Sequence, residues 1–144
     1  MRKPCLTLWQ PYASLVCAGI KVHETRSWRC PTELIGQRIC IHAAAKQFVP
    51  GDLPAPLLSI VLKTFSGRPE PLPVGAMVGT ALIRSCERTQ DTSPANKHDE
   101  VAGDWRRGRF AWLFEEPREF LVARPIRGSQ GIWYCERPDV FLDD

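Results

Sequence analysis

Apolar and polar residues alternate along this chain with a period that switches between two and about 3.6 residues. Residues 5–9, Cys-Leu-Thr-Leu-Trp, alternate as a short strand. Gln10-Pro11 then opens a helix, with the proline near the first helical position, where its missing N–H costs nothing. Ala13, Leu15, Val16 and Cys17 give this helix an apolar stripe, and Gly19 is a natural residue to end it. Residues 36–45 read as a strand with Ile39, Ile41 and Ala43 on one face and Cys40, His42 and Ala44 on the other. Residues 56–65 read as a second helix, introduced by Pro54 and Pro56 and closed by Gly67. A proline-rich connector spans 68–73, and a long strand runs from Gly75 to about Glu87. Strands are predicted at 109–116, 118–125 and 132–135. The polar segment 88–108 exceeds an ordinary connection, so it is functional, mobile or partly helical. No repeat or linker divides the chain. The pattern predicts one α+β domain over residues 1–144.

One stretch departs from this pattern: Gly19-Ile20-Lys21-Val22-His23-Glu24-Thr25-Arg26-Ser27-Trp28. A buried strand would be apolar, and a solvated one has no use for a terminal tryptophan among charges. Read at period two, Val22, Glu24, Arg26 and Trp28 share a face. An acid, a guanidinium and a π surface together can hold a flat, hydrogen-bonding ligand such as a nucleobase. The plainer alternative is a Glu24–Arg26 surface pair beside a core Trp28. His42 precedes three alanines, which make room for a ligand or for a closely packed helix. Gln130 can contact a base edge, and Gly131 lets backbone amides approach a ligand. Trp112 reads as core.

The first half of the chain carries Leu-Thr-Leu-Trp-Gln-Pro-Tyr-Ala-Ser-Leu at 6–15, Gly-Ile-Lys-x-x-Glu-Thr-Arg-Ser-Trp at 19–28 and Ile-His-Ala-Ala at 41–44. Three more motifs follow: Val-Gly-Thr-Ala at 78–81, Phe-Ala-Trp-Leu-Phe-Glu at 110–115 and Pro-Ile-Arg-Gly-Ser-Gln-Gly-Ile-Trp at 125–133. In this order they resemble the ASCH domain family. The resemblance implies a PUA-like open β-barrel of about six strands with two or more short helices. It also implies a partner: RNA, a single-stranded nucleic acid or a modified nucleoside, with DNA for some members. The expected cleft is lined by Lys21, Glu24, Arg26 and Trp28, with Gln10, His42 and Gln130 at its rim. A bacterial branch that is similar at Gly-x-Lys deacetylates N4-acetylcytidine with a lysine, a threonine and a glutamate. Lys21 matches the lysine, but Glu24 stands where that branch has its threonine, and Thr25 follows one place later. If the chain is a metal-independent hydrolase of that kind, Lys21 is the expected general base and Glu24 its partner. The missing hydroxyl favours binding over turnover.

Composition narrows this only a little. At 144 residues the chain can bury a core without staples, and its 44% hydrophobic and 24% charged content is ordinary. A net charge of +3 excludes a bulk neutraliser of phosphate. The arginines are locally concentrated, however. Arg106, Arg107 and Arg109 precede the aromatic strand, Arg124 and Arg127 follow it, and Arg26, Arg29, Arg38 and Lys46 surround the charged stretch. Such groups favour phosphates beside a stacked base, unless they are merely solvated. No apolar run approaches the ~18 residues of a membrane span. Met1-Arg2-Lys3-Pro4 lacks the apolar stretch of a signal peptide, so the cytoplasm is the expected compartment. Six cysteines without Cys-x-x-Cys spacing read as reduced thiols, with no metal and no cofactor expected.

Overall fold

A computed structural model describes residues 2–68 and 70–137. The elements run β1 (Lys3–Leu8), α1 (Tyr12–Cys17), β2 (His23–Arg26), β3 (Arg38–Ala43), α2 (Ala55–Thr64), β4 (Ala76–Arg88), α3 (Lys97–Val101), β5 (Phe110–Pro125) and β6 (Ile132–Cys135). The strands form one sheet in the order β2-β5-β4-β3-β1-β6. β1 and β3 pair in parallel, and every other neighbouring pair is antiparallel. No ladder joins the two edge strands, β2 and β6, so the sheet curls without closing. The result is the α+β architecture expected from the alternation of periods.

Burial explains why the central strands carry so few polar residues. Leu6, Leu8, Ile39, Ile41 and Ala43 share the main core with Val78, Ala81, Ile83, Trp112 and Phe114. On the other face of the same strands, Cys5, Cys40 and Cys135 pack with Met77 and Phe120. β1 and β3 are therefore apolar at consecutive positions rather than alternating. A third cluster joins α1 to α2 and α3 through Leu15, Leu57, Val61 and Ala102. The cysteines behave as small hydrophobes, and all six are free thiols. Burial pushes Cys30 up to about 12 and Cys17 higher still, which leaves these two as poor nucleophiles.

Two expectations need correction. The strands predicted at 109–116 and 118–125 are a single strand, β5. Glu116-Pro117 looked like a break because proline has no ladder N–H. In fact Glu116 takes φ 48° and the β4–β5 register shifts in three places, so a bulged pairing absorbs the proline. Next, β2 ends at Arg26, and Trp28 lies beyond the strand. The polar segment is partly helical, one of the alternatives its length left open: it contains α3, whose first turn is capped by the Asn96 side chain accepting from the Asp99 N–H at 3.0 Å. Among the described residues, no helix is long and apolar enough to cross a membrane.

Candidate functional site

A cavity of about 770 Å³ opens where the end of β1, the start of α1, β2 and the turn after α3 converge. The α1 helix positions one wall. Its entry is fixed by Gln10, whose Oε1 accepts the Ser14 N–H at 3.0 Å while Nε2 donates to Ser14 Oγ and to the Pro73 carbonyl, both at 2.8 Å. The helix then stops at Gly19, which takes φ 79°, and the chain turns to deliver Lys21 and β2 into the cavity.

Lys21 is the deepest cation, 2% exposed. Its ammonium donates to the Ala102 carbonyl at 2.8 Å and lies 3.5 Å from Glu24 Oε1. The other Glu24 oxygen accepts from Arg26 Nε at 3.0 Å. Arg26 in turn donates to the Thr7 carbonyl at 3.2 Å and lies 5.3 Å from the centre of the Trp28 ring. The result is a cation–anion–cation row ending in an indole. Trp28 packs edge-on against buried Trp112, with ring centroids 5.0 Å apart, and keeps 39% of its surface exposed. Tyr12 stands 5.8 Å from the Lys21 ammonium, and burial, aided by the Glu24 carboxylate, pushes its phenol up. Trp9, 60% exposed, lines the cavity as well and carries Lys46 over its ring at 5.5 Å.

Lys21, Glu24, Arg26, Trp28 and Gln130 all line this cavity, and Gly131 borders it beside Trp28. Gln10 and His42 do not. Gln10 is spent on capping α1, as described above. His42 is buried behind β1, where its Nε2–H donates to the Ile126 carbonyl at 2.8 Å. Its Nδ1 then accepts from the Thr7 hydroxyl at 3.1 Å, and that hydroxyl accepts from Trp133 Nε1 at 2.8 Å. Burial lowers the His42 pKa, against the opposing pull of the Ile126 carbonyl. The alanines beside His42 thus make room for packing rather than for a ligand.

No local pattern announced the wall made by Val101, Ala102, Gly103 and Asp104. Asp99, fully buried, fastens that segment to β2. Its Oδ1 accepts the Val22 and His23 amides at 2.8 and 2.9 Å, and its Oδ2 accepts the Ala95 amide at 2.9 Å and His23 Nδ1–H at 2.7 Å. Burial by itself would raise this carboxyl, but the hydrogen bonds outweigh it and hold Asp99 below the usual range. Thr25 also borders the cavity, with its hydroxyl accepting the Asp104 N–H at 2.8 Å. Asp104 is held at about 2, chiefly by the Arg106 guanidinium, and Arg109 Nε lies 3.5 Å from it. Arg106 and Arg109, expected to meet phosphate, are therefore engaged by an internal carboxylate. Among the described residues, no group of three His, Cys, Asp or Glu side chains is placed to hold a metal ion.

The family model for the ASCH domain matches residues 6–126, which runs from within β1 through β5 and takes in the whole cation–anion–cation row. The chain belongs to the ASCH domain family. This ASCH chain is 28% identical over 136 residues to activating signal cointegrator 1 of Mus musculus, and 29% identical over 133 residues to that of Homo sapiens. Each match covers 90% of this chain but only 22% of the relative, so the ASCH chain spans about a fifth of those proteins' length. Its fold is similar to the crystal structure of ASCH from Zymomonas mobilis, with a TM-score of 0.55 at 13% identity, covering 93% of this chain and 87% of that one. A serine-to-alanine mutant of the same Zymomonas mobilis protein aligns with a TM-score of 0.54, also at 13% identity, covering 93% and 88%. Likenesses at that identity establish the fold, an open PUA-like sheet.

Proposed function

We propose that the cavity binds a nucleobase, presented by RNA, by another single-stranded nucleic acid or as a modified nucleoside. The reading rests on one observation: the Lys21–Glu24–Arg26 row sits beside the exposed faces of Trp9 and Trp28 in a single cavity. A base offers a flat π face together with a rim of donors and acceptors. Trp28 and Trp9 supply surfaces to stack on, while Glu24 accepts and Lys21 donates. Both neighbours of Lys21 are acceptors, an arrangement that suits a donor to a ligand better than a proton-accepting base. The Thr25 hydroxyl, taken up by the Asp104 amide, is poorly placed as a nucleophile. Binding is therefore the function favoured over hydrolysis. A reducing compartment such as the cytoplasm suits six free thiols.

Isothermal titration of the chain with a panel of modified nucleosides and short oligonucleotides tests this reading. At least one should bind, and Trp28→Ala should weaken it by ~1–3 kcal/mol through lost stacking. If no member of the panel binds wild type, the reading falls.

A further inference from the structure

Beyond Trp28, the sheet ends in a row set by its register. Arg26 on β2 lies opposite Phe110 on β5, and Phe110 lies opposite Arg88 on β4. Arg29, next after Trp28 in the chain, turns back onto the same ring. Its guanidinium carbon is 4.7 Å from the Phe110 centroid, and that of Arg88 is 5.1 Å away. Both arginines are exposed, and neither forms an ion pair among the described residues. Arg26, Arg38, Arg68, Arg106 and Arg109 all have carboxylates. Two like charges converging on one ring repel each other, and the ring's π face offsets only part of that cost. An anion held at their exposed guanidinium ends would relieve it.

We infer that Arg29 and Arg88, splayed on Phe110, form a phosphate site that holds the backbone of a single strand whose base enters the cavity. The inference rests on the nucleobase reading above and assigns the neighbouring backbone. Guanidinium forks match the paired non-bridging oxygens of a phosphodiester, which makes arginine suited to the task. The row also alternates indole, guanidinium and phenyl groups from Trp28 through Arg26 and Phe110 to Arg88, so a base and its phosphate find their complements side by side. Arg29 follows directly on the cavity-lining Trp28, which keeps the phosphate site adjacent to the cavity.

The test is the salt dependence of binding, read by fluorescence anisotropy with a short labelled oligoribonucleotide and its oligodeoxyribonucleotide counterpart. In the Arg29→Gln/Arg88→Gln double variant, the slope of log K against log salt should flatten by ~1.4, about 0.7 for each lost contact. Each single variant should show about half of that, and Arg29→Lys/Arg88→Lys should retain the wild-type slope. Affinity for the free nucleoside, which carries no phosphate, should not change. Flattening with either sugar supports the site, and flattening with RNA alone identifies the strand. An unchanged slope in variants that still bind strand and nucleoside overturns the phosphate site and leaves the cavity reading standing. A wild type that binds neither strand nor nucleoside overturns both. If a duplex binds more tightly than either strand, with the same two-contact loss, the single-strand assignment is wrong.

Discussion

The Arg26 guanidinium bridges two strands that share no ladder, donating to the Thr7 carbonyl on β1 at 3.2 Å while its Nε holds Glu24 on β2 at 3.0 Å. β2 is an edge strand, separated from β1 in the sheet by β5, β4 and β3. A side chain therefore spans the opening that the backbone leaves unpaired, and the cavity lies at that opening.

Arg26→Lys tests this bridge. Lysine keeps the charge but offers a compact ammonium in place of a planar fork, so it cannot serve both partners with the same geometry. The expected loss is about 1.5–3 kcal/mol in urea unfolding, the scale of one hydrogen bond to a charged group. Ligand affinity should fall as well, because Glu24 is no longer held. If stability and affinity both stay at wild-type values, the opening is held by something other than Arg26.

The cation–anion–cation row was legible in the sequence because Glu24 and Arg26 fall on one strand face and neither residue suits a core. Gln10 and His42 misled for the opposite reason. A buried polar side chain signals only that it needs partners, and theirs turned out to be Ser14, Pro73, Thr7 and Ile126. The Ala102 carbonyl that anchors Lys21 lies 81 residues away and is backbone, so no side-chain pattern could announce it. Asp99 carries no local signal of its role, because its partner His23 lies 76 residues away in the chain. The alternating strands determined the architecture, whereas the far wall of the cavity depends on long-range contacts with no local signature.

Turnover is tested directly with N4-acetylcytidine. The expected result is no cytidine from wild type, with Lys21→Met weakening nucleoside binding because a donor is lost. If wild type does release cytidine, and Lys21→Met and Glu24→Gln each slow it by ~100-fold or more, the cavity is catalytic with Lys21 as its base. Product that persists in Lys21→Met removes Lys21 from that role.

His42 should make stability depend on pH. Its pKa in the folded chain is depressed by burial, so between that value and the unfolded value of about 6.5 only the unfolded chain binds the proton. The stability due to neutral His42 is thus fully present above about pH 6.5 and is lost as pH falls through the folded pKa. Thermal unfolding of wild type followed downward from neutral pH should show this decline. His42→Gln, which keeps a donor for the Ile126 carbonyl, should lack that component. Parallel curves for the two proteins would mean that His42 titrates alike in both states.

Asp99 should be the most costly single polar position. It accepts four N–H groups, each 2.9 Å or shorter, and has no exposed surface. An asparagine there must turn an NH₂ toward donors, so Asp99→Asn leaves buried amides unpaired at ~1–3 kcal/mol each. A total loss of at least about 3 kcal/mol is expected. Because the hydrogen bonds hold the folded carboxyl below its unfolded value of 3.8, the stability it supplies is present above about pH 3.8. It is lost as pH falls through the lower folded value, and Asp99→Asn should flatten that acid limb. The loss should also reach the cavity. With α3 unfastened from β2, the Ala102 carbonyl no longer holds the Lys21 ammonium, and the Val101–Asp104 wall loosens. Hydrogen exchange read at the Val22, His23 and Ala95 amides, together with nucleoside affinity, separates the two effects. Faster exchange accompanied by weaker binding supports Asp99 as the fastening of the wall. Faster exchange with unchanged binding would confine its role to stability.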